Sequence, residues 1–211
     1  RGAFARVKGA SSAEVGSVET KQKKDKPPAP FNTTAFLREA TKIGFSAAAA
    51  MTLAESLYTE GYISYPRTDN TVYPKSLGLR EILQKLLPTE MEDDVGAVLG
   101  RDRLTPTRGK KEATDHPPIY PVEACRPGDV KPDAYKVYEL VVRRFLATLS
   151  DESVTEHLSV TMDIGGEPFV AKGQRLVVKG WRGVYRYGES KEVLLPALAA
   201  GDHPAVMSTA V

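Results

Sequence analysis

Hydrophobic positions along the chain change period twice, from strand-like to helical and back. Residues 3–7 and 15–18 are short apolar runs divided by Gly9-Ala10-Ser11-Ser12, and they read as two strands. The basic run 21–26 reads as a solvated strand end leading into a stiff connector, Pro27-Pro28-Ala29-Pro30. Thr33 or Thr34 is placed to cap a helix through Thr41, with Phe36, Leu37 and Ala40 on one face and Gly44 as its stop. Ser46 caps the next helix, whose inner stripe is Ala47, Ala50, Met51, Ala54 and Leu57, and Gly61 ends it. Pro74 opens a helix over 75–87 with Leu77, Ile82, Leu83, Leu86 and Leu87 inward, and a short helix follows over 89–99. Residues 104–122 hold too many prolines for regular structure. Asp133 is placed to cap a last helix in which Tyr138, Val141, Val142, Phe145 and Leu149 form the core face.

From Ser153 the alternation is that of strands: Leu158, Val160, Met162 and Ile164, then a Gly165-Gly166 hairpin signal. Further strands are expected over 169–172, 175–179, 183–187, 194–198 and 204–211, with Trp181 packing at a turn. The pattern predicts an α+β chain. A mostly helical domain, 34–150, is inserted into an antiparallel β domain made of 1–33 and 151–211.

Composition adds bounds. The chain has 211 residues, 41% hydrophobic and 27% charged, with a net charge of +2. That is an ordinary globular balance, and any nucleic-acid contact must come from local clusters. No apolar run reaches the roughly 20 residues of a membrane helix. The single Cys125 excludes an intrachain disulfide or a cysteine zinc site and fits a reducing compartment. A start at Arg1 without methionine suggests a piece of a longer protein.

Chemistry concentrates in Tyr62-Ile63-Ser64-Tyr65-Pro66-Arg67-Thr68-Asp69-Asn70. Pro66 keeps Tyr65 extended. A phenol is a poor nucleophile while protonated, and a nearby cation both lowers its pKa and neutralises a phosphate under attack. Arg67 can do both, and its fork can bind two phosphate oxygens. Thr68 could donate to a phosphate; Asp69 would cap the following turn. Taken alone, a Tyr-x-Arg pair is common and reads as an amphipathic tyrosine at a helix–strand corner with its arginine in solvent; the surrounding residues change that reading. His116, beside Asp115 in the proline-fixed loop, is a second candidate, its ring held by that carboxylate. Arg108, Lys110, Lys111, Arg143 and Arg144 form a candidate set for backbone phosphates, giving affinity without sequence readout. His157 and His203, among the strands, read as structural.

Three stretches occur in order: Pro27-Pro28-Ala29-Pro30-Phe31-Asn32-Thr33-Thr34, Met51-Thr52-Leu53-Ala54-Glu55-Ser56-Leu57-Tyr58, and Gly61-Tyr62-Ile63-Ser64-Tyr65-Pro66-Arg67-Thr68-Asp69. Together they resemble the central region of type IA DNA topoisomerases, in the archaeal topoisomerase I and topoisomerase III branch. The resemblance runs over nearly the whole chain and is strongest over 27–74. It implies that Tyr65 cuts one DNA strand through a transient tyrosyl 5′-phosphate, relaxing negative supercoils without ATP, and the chain shows no P-loop pattern. It implies a winged-helix-like tyrosine domain hung from a β arch that closes a toroid, and a histidine, here His116, touching the DNA backbone. The expected substrate is a single-stranded segment of negatively supercoiled duplex, and the expected setting is cytoplasmic and nucleoid-associated, with no membrane. The resemblance also implies Mg²⁺ held by a glutamate and an Asp-x-Asp pair. This chain contains no Asp-x-Asp, so no metal ligand is assigned in it and the metal-binding domain is expected elsewhere in the same protein, which would leave the fragment inactive in relaxation by itself. Competing expectations are a non-catalytic DNA-binding or scaffold module that keeps the fold, and a tyrosine recombinase or relaxase. The polarity of the covalent adduct separates recombinases, and a metal-binding histidine cluster, absent here, would mark a relaxase.

Overall fold

Whether each apolar run becomes helix or strand is decided by local chemistry in the computed structural model, which describes residues 2–188 and 192–208. The first run is a helix, α1 (Gly2–Val7), and not a strand. Its alanines and arginine favour helix, and six residues are too few for periodicity to decide. It is followed by β1 (Glu14–Asp25), which absorbs the basic run and pairs Lys21 with Glu19 and Lys23 with Asp25.

Four helices come next: α2 (Thr33–Lys42), α3 (Ala47–Thr59), α4 (Leu79–Leu86) and α5 (Glu92–Leu99). The α2 cap is Asn32, whose Oδ1 accepts from Ala35 N at 2.9 Å, because the Thr33 hydroxyl is committed elsewhere, to the Pro66 carbonyl at 2.7 Å. Ser46 caps α3 as its position predicts, accepting from Ala49 N at 3.2 Å. Gly61 ends that region at φ +85°. Helix α4 begins later than Pro74, which forms a turn with Leu77 instead; Gly78 takes the cap position, and the Glu81 carboxylate lies only 2.5 Å from where a Cβ on it would be.

The central helix is α6 (Pro132–Thr148). Pro132 occupies its first turn and Lys131 its cap, so Asp133 is a first-turn acid paired with Lys136 and not the cap. Val137, Tyr138, Leu140, Val141, Val142, Phe145, Leu146 and Ala147 are all fully buried, so this helix has almost no solvent face. Ala50 and Ala54 of α3, also fully buried, let α3 lie close against it, while Ala47 is exposed.

Strands β2 (Ser153–Ile164) and β3 (Glu167–Val178) form the expected antiparallel hairpin, and the sheet order is β1-β2-β3. Gly165 and Gly166 turn at φ +63° and +78°, and a Cβ on Gly165 would sit 2.5 Å from the Arg6 carbonyl oxygen. The two short strands expected over 169–179 are one. Residues 183–187 are not a strand: a 3₁₀ turn (Gly180–Arg182) precedes them, Tyr185 N bonds Trp181 O at 3.0 Å, and Trp181, Tyr185 and Tyr187 pack as an aromatic group beside α6. The expected strands 194–198 and 204–208 make only isolated bridges nearby, Gln174 with Val193 and Ser12 with Ala205; the rest of that expectation lies outside the described residues.

Contacts divide the chain into Arg1–Asp25, Val154–Val178 and Ser190–Val211 on one side and Lys26–Ser153 with Lys179–Glu189 on the other, as far as the residues are described. The helical unit thus takes 26–33 and 179–189, segments the sequence pattern assigns to the β domain. The reason is apolar: Phe31 and Tyr185 are buried in the helical core.

Buried Tyr138 is the polar fastening of α6, donating to Glu123 O at 2.8 Å and accepting from Cys125 N at 3.1 Å. Burial, as the largest effect, pushes its phenol pKa up, so it stays a protonated donor. Tyr138→Phe orphans both partners and should lower the unfolding free energy by about 1–3 kcal/mol. A urea titration reads this directly; an unchanged midpoint would show that water replaces the hydroxyl.

Candidate active site

Residues 62–72 and 109–122 are two irregular segments that satisfy each other. Prolines 117, 118 and 121 have no N–H to give, so the partner segment supplies the missing bonds from side chains. Ser64 Oγ donates to Pro118 O at 3.2 Å and accepts from Tyr120 N at 3.0 Å, while Ser64 N bonds Tyr120 O at 2.9 Å. Thr68 Oγ1 and Asn70 Nδ2 both donate to the His116 carbonyl, at 3.2 and 3.1 Å, and Asn70 also donates to Ala113 O at 2.7 Å. Asn70 Oδ1 closes its own turn by accepting from Val72 N at 2.9 Å. Thr71 exchanges backbone bonds with Lys111 and Gly109, and a Cβ on Gly109 would collide with the Thr71 side chain at 2.2 Å. The start of α2 joins them: Thr33 N bonds Thr68 O at 2.9 Å.

This frame brings Tyr65 and His116 together. The Tyr65 ring is half-buried, its centroid 4.8 Å from the His116 ring and 5.2 Å from that of Tyr58 on α3. Arg67, two residues on, is exposed and is held from α3 as well: its Nε donates to Glu55 Oε1 at 2.8 Å, with Nη2 at 2.5 Å from the same oxygen. The phenol and the imidazole are thus in contact, and the exposed guanidinium is held on the same α3 face that bears Tyr58. The group can present a nucleophile and cationic or hydrogen-bonding partners to an anion.

Other candidates fall away from it. Thr68 is buried, and its hydroxyl is spent on the His116 carbonyl, so it orients the loop and is not free to hold a phosphate. Asp69 does not cap a turn; it pairs with Lys111 at 2.5 Å. Asp115 has no place in the contacts of the His116 ring, which packs on Tyr65 instead. Arg108 is exposed and paired with Glu112, and Lys110 is exposed.

Arg143 and Arg144 are not phosphate contacts at all, because both lie in the core, 8% and 7% exposed. Arg143 donates to Glu139 at 2.6 Å, Asp94 at 3.0 Å and Val184 O at 3.1 Å. Burial works to lower its pKa, and the two carboxylates outweigh this and raise it. Arg144 donates to Ala29 O at 2.8 Å and lies over the Phe31 and Tyr185 rings at 4.5 and 5.3 Å. Burial dominates there and lowers its pKa. The helical pattern that makes Tyr138, Val141, Val142 and Phe145 a core face misses that α6 is buried on every side. Glu55, Tyr58 and Asn70 complete the site; Glu55 and Tyr58 carry no signal of function in the sequence beyond their places in the second matching stretch, Asn70 none beyond following the third, and the spacing of Glu55 and Tyr58 puts them on one face of a helix.

Residues 1–211 match the family model described as DNA topoisomerase. The chain is similar to DNA topoisomerase 1 of Archaeoglobus fulgidus, 46% identical over 202 residues, covering 94% of this chain and 29% of that protein. It is also similar to DNA topoisomerase 3-alpha of Homo sapiens, 33% identical over 193 residues, covering 90% of this chain and 19% of that one. The structure of full-length topoisomerase I from Thermotoga maritima shares its fold, with a TM-score of 0.70 at 23% identity, over 97% of this chain and 34% of that one. The chain thus spans less than a third of the length of these curated relatives.

Two outcomes test the site's support. Asn70→Ala leaves the Val72 N–H and the Ala113 carbonyl without their partner and takes one of two donors from the His116 carbonyl, so it should speed hydrogen exchange and proteolytic nicking within 109–117. Unchanged protection would show that Thr68 suffices. Glu39, 4% exposed, has a carboxyl that burial pushes up, but the Lys42 hydrogen bond and the charges of Lys42 and Arg144 prevail and hold it below the usual range. Its contribution is therefore full above the unfolded carboxyl pKa of about 4.3 and is lost as pH falls through the lower folded value. Glu39→Gln should remove that part of the acid destabilisation; parallel stability–pH curves for the two proteins would contradict it.

Proposed function

This chain belongs to the type IA DNA topoisomerase family, in the branch of the archaeal topoisomerase 1 and topoisomerase 3 proteins, and on that premise we propose that Tyr65 is the residue that cuts DNA. The observation that carries this is the ring contact of His116 with Tyr65, together with Arg67 held by Glu55 on the α3 face that bears Tyr58; Tyr65 and Arg67 lie in the motif that resembles the family's cleavage segment. The Tyr65 phenol oxygen attacks a backbone phosphorus of a single-stranded segment. A P–O bond forms to the tyrosine, the P–O3′ bond breaks, the phenol gives up its proton, and the departing O3′ takes one up. The strand then ends in a free 3′ hydroxyl and a 5′ phosphate on Tyr65. The reverse attack by the 3′ hydroxyl restores the strand after another strand has passed. No ATP is needed, because the phosphotyrosyl bond conserves the energy of the one it replaces. Negative supercoils are what such an activity relaxes.

Charge develops on the non-bridging oxygens during attack, and fixed donors there act more strongly than mobile ones. Arg67 fits that role with its fork. His116 hydrogen-bonds a backbone phosphate beside it. Lys110, Lys111 and Arg108 lie on or beside the loop that carries His116 and supply sequence-independent contacts to neighbouring phosphates. The paired segments 62–72 and 109–122 serve as the wing of a winged-helix-like tyrosine domain, and the β unit is part of an arch that closes around DNA.

The family resemblance implies Mg²⁺. Among the described residues no three His, Cys, Asp or Glu side chains come together to hold a metal. The residues present do not fit it, so none of the steps above passes through it and the metal is assigned to another domain of the full-length protein. No helix of the described residues is long and apolar enough to cross a membrane; the proposed setting, at the nucleoid in the cytoplasm, rests on the DNA substrate.

Tyr65→Phe in the full-length protein should abolish the covalent protein–DNA adduct trapped on a single-stranded oligonucleotide. Noncovalent binding should stay nearly intact, because only the hydroxyl is removed. An adduct in the variant would identify another nucleophile. Residues 1–211 by themselves should bind single-stranded DNA weakly, with a steep salt dependence, and should not relax a plasmid. Multiple-turnover relaxation by this stretch would refute the assignment of the metal to another domain.

A further inference from the structure

Among the described residues, the side chain that grips Arg67 lies outside the Tyr-x-Arg motif. Glu55 stands on α3, one turn before Tyr58, so a single helix face carries both the carboxylate against Arg67 and the ring against Tyr65. Glu55 Oε1 takes the Nε side of the guanidinium, at 2.8 Å from Nε and 2.5 Å from Nη2. The Nη1–Nη2 edge is turned away from that carboxylate and can donate two parallel hydrogen bonds to a pair of phosphate oxygens. An arginine held on one edge and open on the other is a preorganised phosphate donor. The Arg67 and Glu55 side chains are 57% and 42% exposed, and a pair so open to water adds little to fold stability. Its effect is on where the guanidinium points.

We propose that Glu55 is a positioning residue for strand cleavage, orienting Arg67 toward the scissile phosphate while taking no contact with DNA itself. This rests on the reading of Tyr65 as the nucleophile. A free arginine side chain loses several torsions on binding phosphate; one already fixed by a carboxylate loses fewer, and its donors are in place when charge appears on the phosphate. The carboxylate also offsets part of the cation's charge, so the contact favours geometry over raw attraction.

The test is single-turnover cleavage of a single-stranded oligonucleotide by the full-length protein, with Kd for the same oligonucleotide measured separately. Glu55→Ala should slow cleavage on the order of tenfold and change Kd by less than about twofold. Glu55→Gln should recover most of the rate, because its amide oxygen still accepts from Nε and Nη2. In an Arg67→Ala background, adding Glu55→Ala should slow cleavage no further, since Glu55 acts through Arg67. A wild-type rate in Glu55→Ala, a faster one, or an additional loss in the double variant would overturn the proposal. Tyr65→Phe separates the two readings. If it still forms the adduct, the nucleophile assignment fails; if it does not and Glu55→Ala cleaves normally, only the role of Glu55 fails.

Discussion

The site depends on a proline-rich loop that cannot satisfy its own backbone. Three of the fourteen residues in 109–122 are prolines without an N–H, and a buried carbonyl left unpaired costs free energy comparable to a lost hydrogen bond. The side chains of Ser64, Thr68 and Asn70 meet that need, and all three belong to the stretch that bears Tyr65. The position of His116 relative to Tyr65 is therefore a consequence of hydrogen-bond satisfaction. Two donors on the His116 carbonyl fix its backbone, and the ring follows. The residues that look most like ligands in this stretch divide accordingly: Thr68 and Asn70 build the loop, while Tyr65 and Arg67 are left to face outward.

A second constraint sits behind the first. Helix α6 has almost no exposed face, yet it carries two arginines. A buried cation is tolerated only when it is bonded and paired. Arg143 meets this with two carboxylates and a carbonyl, Arg144 with the Ala29 carbonyl and two aromatic faces. Arg144 in turn ties the connector before α2 to the centre of the unit, and Phe31 beside it pairs with Ile119 at the end of the proline-rich loop. The core and the candidate site are thus joined through a few residues of the connector.

These particulars explain what the sequence could and could not tell. Helices α3 and α6 were legible because their apolar stripes run for about three turns, α2 because a capping residue and Gly44 bracket its short apolar face, and Ser46 and Gly61 bound α3 with unambiguous chemistry. The hairpin at Gly165-Gly166 was legible for the same reason: positive φ leaves few residue choices. Residues 3–7 and 183–187 were misread as strands because runs of five residues carry no resolvable period. The misassignment of Arg143 and Arg144 has another origin. Charge within a helical pattern predicts a solvent face, and only tertiary partners such as Asp94, far away in sequence, reverse that. Tyr65, Arg67 and His116 could be named from their residue types and from the family motif. Their mutual placement could not, because it is set by Ser64, Thr68 and Asn70 acting across some fifty residues of chain.

Helix α3 shows how the legible and the illegible meet. Its buried stripe, Ala50, Ala54 and Leu57, is pure packing and is readable as such. Its opposite margin carries Glu55 and Tyr58, which by composition are ordinary surface residues. Small alanines bring α3 against α6, and this fixes where that margin lies. Gly61 then reverses the chain so that the following extended segment runs back along it. Tyr65 reaches Tyr58 and Arg67 reaches Glu55 because extended residues two apart and helical residues three apart cover similar distances, about 6.5 Å and 5 Å. The match of the two repeats lets one rigid helix hold both members of the Tyr-x-Arg pair without any side chain being buried. The proposed nucleophile and its cation can then remain accessible and still be held in register, which a loop unsupported by a helix could not achieve.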